Sequence, residues 1–318
     1  ATPEMISPPR ALARIAAAVA IIFSLGACSI EKLALKKVAG MLSAPSSTDV
    51  FSTDNDPDLV GDALPFAIKL YETLLASLPE NDGLRLRTGS LYIMYANAFV
   101  EAPADMTPRR ELATKEYLLA RAKNLYLRGR DILFRSLEKK NPRLRQQLKD
   151  RKYEDAMRPF GKTDASLLYW TALGWLAAYS VDPLDMTLGQ TVPQTRVMIE
   201  RVAALEPGYG DGSLDAFFVG YYGSLPDYLG GDPAKARDHF AKAQAQAGSR
   251  DTSSLVSLAT TVSVNEQNAA EFKKLLGQVL AFNVDSSPST RLVNVLNQRK
   301  ARWLLDHIAD FFVELERP

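Results

Sequence analysis

The stretch Trp170-Thr171-Ala172-Leu173-Gly174-Trp175-Leu176-Ala177 decides the fold. Trp170, Leu173, Gly174 and Ala177 are spaced by one, three and four positions, so in a helix they share one side. Gly174 has no Cβ and permits close approach by a partner helix, while the larger residues fill the groove around that contact. A helix built this way is one half of a packed pair. The same logic recurs on either side: Ala67, Tyr71 and Pro79 upstream, Gly89 and Tyr92 after them, and Ala236, Phe240 and Ala243 downstream. Apolar residues at helical spacing predict helices at about 59–78, 84–101, 110–140, 164–180, 192–205, 212–224, 233–247, 252–264, 268–282 and 290–315. Breakers separate them: Pro79, Pro103, Pro142, Pro183, Pro207-Gly208, Gly230-Gly231, Gly248 and Pro288. Asp56-Pro57 is an N-cap followed by a first-turn proline. No stretch alternates convincingly as a strand does.

These matches fit the tetratricopeptide signature, W-x₂-L-G-x₂-Y on a first helix, then A-x₃-F and a closing proline on a second. Ala177 replaces the tyrosine, no repeat is complete, and the 110–140 helix is far longer than a standard unit. The expected fold is therefore all-α: a tetratricopeptide-like helical repeat, or α-solenoid, over 56–318, with long and irregular helix pairs. An irregular helical domain is the alternative.

The N-terminus reads as an export signal rather than part of that fold. Arg10 and Arg14 precede the apolar run Ile15 to Phe23, which is shorter than the roughly 20 residues that span a bilayer. The run meets Leu25-Gly26-Ala27-Cys28, the lipobox pattern of bacterial lipoproteins, in which the thiol is diacylated and the signal removed before it. Cys28 is the only cysteine of the 318 residues, and a thioether-linked lipid removes a thiol that would otherwise risk stray oxidation. Residues 1–27 are thus expected to be a signal peptide, and 28–55 a lipidated N-terminus and polar, extended tether, Ser43 to Asn55. Ser29 follows the cysteine where many inner-membrane lipoproteins carry Asp, which favours the periplasmic face of the outer membrane. The covalent lipid is the one non-protein group expected; no cofactor or metal is.

Removing residues 1–27 takes away Arg10, Arg14 and Glu4, so 38 basic and 37 acidic residues become 36 and 36. Balanced charge argues against nucleic-acid binding, which needs a basic excess. Catalytic patterns are thin. His239 and His307 are far apart on separate helices, His239 expected at a surface and His307 beside the C-terminal core. Gly161-Lys162-Thr163 lacks the strand and first glycine of a phosphate loop. Ser136-x-x-Lys139 lacks the companion motifs of a serine acyl enzyme. The chain reads as a binding protein, not an enzyme. Two segments are candidate surfaces. Phe217, Phe218, Tyr221, Tyr222 and Tyr228 exceed what one helix face easily buries, so they are a candidate ligand groove. Within Lys139 to Arg158, Arg143, Arg145 and Lys149 are a candidate dock for an acidic partner or anionic headgroups. For both, the plain alternative is core packing and a solvated helix end.

Several blocks together resemble one family. They are Asp54-Asn55-Asp56-Pro57 with Ala63-Leu64-Pro65-Phe66-Ala67, Tyr95 to Val100, Tyr126 to Asp131, Gly223-Ser224-Leu225-Pro226 with Leu229-Gly230-Gly231-Asp232 and Ala236 to Phe240, and Arg291 to Asn294 with Gln298 to Ala301. The chain resembles the T-component (TatT-like) periplasmic tetratricopeptide lipoproteins of TRAP transporters. That resemblance implies an accessory of a tripartite solute uptake system, partnered with its substrate-binding protein and able to hold or pass a ligand such as an apolar organic anion. Self-association is compatible with it. The competing expectation is a scaffold lipoprotein of envelope assembly with no small-molecule role.

Overall fold

The computed structural model describes residues 37, 39–42, 49–247, 250 and 252–313. Among them, the fold is all helix, without a strand. In chain order the helices are α1 (Asp49–Ser52), α2 (Pro57–Ser77), α3 (Asp82–Ala96), α4 (Leu112–Lys140), α5 (Leu144–Lys149), α6 (Tyr153–Met157) and α7 (Ala165–Ser180). There follow α8 (Met186–Gly189), α9 (Val192–Leu205), α10 (Ser213–Ser224), α11 (Pro233–Ala247), α12 (Ser253–Leu258), α13 (Ala269–Ala281) and α14 (Arg291–Asp306). Sequence neighbours pack in space: α2 on α3, α3 on α4, α4 on α7, α7 on α9, then α10 on α11 and α12, α12 on α13, and α13 on α14.

Glycines set the closest crossings. A Cβ on Gly89 would meet Leu133 Cγ at 2.4 Å and the Gly129 carbonyl at 2.9 Å, and one on Gly129 would meet the Gly89 carbonyl at 2.7 Å. Helices α3 and α4 thus touch backbone to backbone. Gly174 performs the expected role on α7, where a Cβ would fall 2.6 Å from Ile93 of α3. Trp170, Leu173 and Ala177 are only half-buried, and Trp175 is the buried tryptophan. Its ring meets Phe134 edge-on at 5.7 Å, and its Nε1 donates to Thr191 Oγ1 at 2.8 Å. Turn chemistry follows the sequence closely. Asp56 accepts from the Asp58 and Leu59 amides, and Gly230 takes φ +99° before Asp232 caps α11 through the Lys235 amide.

Three expectations need correction. The sequence predicts no helix between 140 and 164, yet two short helices, α5 and α6, form there and bury Leu144, Leu148, Ala156 and Met157. The last helix stops at Asp306 rather than running to 315; beyond it Phe311 and Phe312 turn inward onto Phe272, at 5.9 and 5.1 Å. The described end of the tether is not extended: α1 packs on α14, and Arg291 donates to the Thr53 carbonyl at 3.0 Å.

That last contact is one of several joining the two ends of the chain. Arg299 of α14 grips Asp58 of α2 through both guanidinium nitrogens at 2.8 and 3.1 Å, and Lys300 pairs with Asp105 at 2.7 Å. Leu292 packs on the N-terminal core of Val60, Leu64, Ile68 and Tyr71. The helix succession therefore closes on itself through a mostly polar contact.

Candidate functional site

Helices α11, α12 and α13 frame a groove of about 440 Å³. Leu255 and Leu258 of α12 and Leu275 of α13 give it apolar surface, while Arg237, Phe240 and Gln244 line it from α11 and Glu271, Lys274 and Gln278 from α13. Each set recurs every three or four residues, so each is one face of a helix. Arg237 ties one wall to the other, bonding Glu271 at 2.5 and 3.1 Å and also pairing with Glu266, while Ser263 donates to Glu271 at 2.7 Å. These contacts hold the Glu271 carboxyl below its ordinary range, the Arg237 hydrogen bond foremost, and burial opposes them. Apolar surface edged by amides, an ammonium and a satisfied ion network is suited to holding a molecule. It offers no nucleophile beside a base.

The aromatic segment on α10 is mainly core. Phe217, Phe218 and Tyr221 are buried and pack ring on ring, Phe217 against Phe218 at 5.7 Å and Phe218 against Tyr221 at 6.5 Å. Tyr222 is half-buried, and Tyr228 is 84 % exposed, outside this ring cluster. Phe217, Phe218 and Tyr221 belong to the larger core, where Tyr222 also packs, and Tyr222 reaches the C-terminal core as well, so these four rings pack inward while Tyr228 stands apart. His239 is not a free surface residue either. Its Nδ1 lies at hydrogen-bond distance, 2.7 Å, from the Asp215 carboxylate, and its ring packs against Phe218 and Tyr222 at 4.7 and 5.6 Å. His307 stacks on Trp303 at 4.2 Å, beside the C-terminal core.

The basic segment keeps its exposed charges. Leu144 and Leu148 point α5 inward, which turns Arg143, Arg145 and Lys149 to solvent. Arg145 pairs with Glu138 at 2.9 Å and covers the Phe134 ring at 4.9 Å. Arg145 and Lys149, four residues apart, share one side of this short helix, and Arg143 stands at its N-terminal end. Cys28 lies outside the described residues.

One cluster escaped the sequence reading. After α3 the helix widens into a π-turn over Asn97–Glu101, then resumes through Ala102–Asp105. The wider turn brings Glu101 to Tyr126, whose hydroxyl donates to its carboxylate, while Asp105, one turn on, holds Lys300. Burial and then the nearby Asp105 charge push the Glu101 pKa up to about 7, against the pull of Lys300, Tyr126 and Asn97. Burial pulls Lys300 down, yet Asp105 and Glu101 outweigh it and leave its pKa raised. Such bulges are frequent at functional sites. The i, i+4 spacing of Glu101 and Asp105 was visible in the sequence; the approach of Lys300 from 195 residues away was not.

Comparison with known proteins supplies the identity. The model of the TRAP transporter T-component family matches residues 53–312, nearly the whole folded chain. The chain belongs to the TRAP transporter T-component family. A protein of Treponema pallidum (strain Nichols), described as uncharacterized, is 32 % identical over 302 residues, spanning 90 % of this chain and 94 % of its own. The T-component family is one of transport accessories, not of enzymes, and membership associates this chain with the other components of a TRAP transporter.

Proposed function

We propose that this T-component is a lipid-anchored periplasmic accessory that docks the substrate-binding protein of its TRAP system and holds or passes the ligand. The observation that carries this reading is the family match over residues 53–312, joined to a fold in which helices frame an open, partly apolar groove. The helix pairs are read as tetratricopeptide-like units, because Gly174, Gly89 and the buried Ala236 and Ala243 occupy the close-approach positions such repeats require. Repeats of this kind leave long semi-rigid surfaces, which suit a folded partner. Arg143, Arg145 and Lys149 are assigned to the partner, since exposed charge raises encounter rates and fixes orientation. The α11–α13 groove is assigned to the ligand, its leucines meeting an apolar body and Lys274 an acidic group. Attachment is assigned to acylation of Cys28 behind its lipobox, on the periplasmic face of the outer membrane.

Two experiments test this. Mass spectrometry of the N-terminus is expected to find a diacylated Cys28 with residues 1–27 removed; an unmodified cysteine within a retained signal contradicts the anchor. Co-purification from solubilised membranes is expected to recover the TRAP-type substrate-binding protein encoded beside this gene. Recovery of envelope-assembly proteins instead would favour the scaffold reading.

A further inference from the structure

The C-terminal helices are joined to the rest of the fold unevenly. The larger core is built from buried residues between Ile93 and Leu225, and the C-terminal core from buried residues between Val219 and Phe312. Among the described residues beyond Leu229, Leu292 is the one apolar side chain that packs on a core other than the C-terminal one. Helix α10 is the joint. Its Phe217, Phe218 and Tyr221 sit in the larger core and its Val219 in the C-terminal core, while α11 and α12 pack directly on it. Just before α10 the backbone turns through three consecutive residues of positive φ, Gly210 at +63°, Asp211 at +48° and Gly212 at +100°. A non-glycine residue held there stores strain, and short segments of this kind absorb rotations between packed bodies.

At the other end of the lobe's chain, the contact is mostly polar. Arg299 holds Asp58 at 2.8 and 3.1 Å, with 45 and 78 % of the two side chains exposed. Lys300 holds Asp105 at 2.7 Å, and two carboxylates, Asp105 and Glu101, act on this one ammonium. Exposed ion pairs contribute little to stability. Small polar contacts between parts of one chain therefore open before the apolar cores on either side of them. From this unevenness we infer that α10 to α14 swing as a unit about the Tyr209–Gly212 turn, and that Arg299–Asp58 and Lys300–Asp105 are a clasp whose release opens the closed succession of helices without unfolding either lobe. Opening draws Leu292 off the N-terminal core and frees four charges, so a charged molecule that bound them would hold the open form. The inference rests on contacts within the chain and is independent of the transport reading.

Double electron–electron resonance tests it, on the full chain carrying Cys28→Ala and spin-labelled at Ala63→Cys of α2 and Arg302→Cys of α14, both exposed positions. A second label pair, Lys242→Cys on α11 with Lys273→Cys on α13, reports on the C-terminal lobe alone. Across the clasp, the expected result is a dominant short distance with a minor longer one. The longer population should grow about tenfold on Asp58→Arg, which sets like charges together. Asp58→Arg with Arg299→Asp should restore the short distance, and Lys300→Met should lengthen it as Asp58→Arg does. The pair within the lobe should keep one distance in every variant. A clasp distance left unchanged by Asp58→Arg or by Lys300→Met, a lengthening that the charge exchange does not reverse, or one accompanied by a broadened distance within the lobe would overturn the inference.

Discussion

At the scale of single residues, the fold depends on where side chains are absent. Gly89 and Gly129 let α3 and α4 meet through their backbones, and neither helix can retreat without opening the core around Ile93, Tyr126 and Leu133. Gly129→Val is therefore expected to cost about 3 kcal/mol or more, the upper end of overpacking effects, read as a lower midpoint in urea. A neutral effect would show that the crossing is looser than described. Glu101 gives a second prediction, with a definite sign. Its pKa is about 7 folded against an ordinary 4.5, so the folded chain holds this proton more tightly than the unfolded chain. The associated stability is complete below about 4.5 and is lost as the pH rises through about 7. Glu101→Gln should flatten that decline and leave the variant relatively more stable at pH 8 than at pH 5. Chemical denaturation at both values decides it, and an unchanged slope would remove Glu101 as the titrating group.

At the scale of elements, α5 displays charge on a rigid support. Leu144 and Leu148 anchor it, so reversing Arg143, Arg145 and Lys149 together should leave the melting temperature within a degree or two while weakening partner binding about tenfold at low salt. A titration of both proteins at two ionic strengths separates a dock from a solvated end. The helices were legible in the sequence wherever an apolar period ran unbroken, as in 192–205, whose bounds agree with α9. Elsewhere the chain was less readable. Helices α5 and α6 are too short for periodicity to reveal, and a backbone turn at Arg151 with φ +58° separates them. The aromatic run on and after α10 exceeds one helix face, and nothing local in the sequence shows that two core clusters share its rings. Nor does any local pattern announce the groove, which is assembled from Arg237, Leu255 and Lys274 on three helices.

Over the whole molecule, the decisive feature is that the succession of helices closes. Arg299 on Asp58 and Lys300 on Asp105 join residues 241 and 195 positions apart, fixing α14 against α2 and the helical turn that follows the π-turn. On the proposed function, the exposed cations of α5 would meet the protein partner and the separate α11–α13 groove the ligand, while an anchor at Cys28 would confine both near the membrane. The claim that unites these features is direct association with the substrate-binding protein of the same TRAP system. Isothermal titration calorimetry of the two purified proteins tests it most directly. The account predicts saturable binding with Kd of tens of micromolar or tighter, about −6 kcal/mol or more favourable, and weaker binding for the α5 charge reversals. Absence of binding at those concentrations, with both proteins folded, would contradict it.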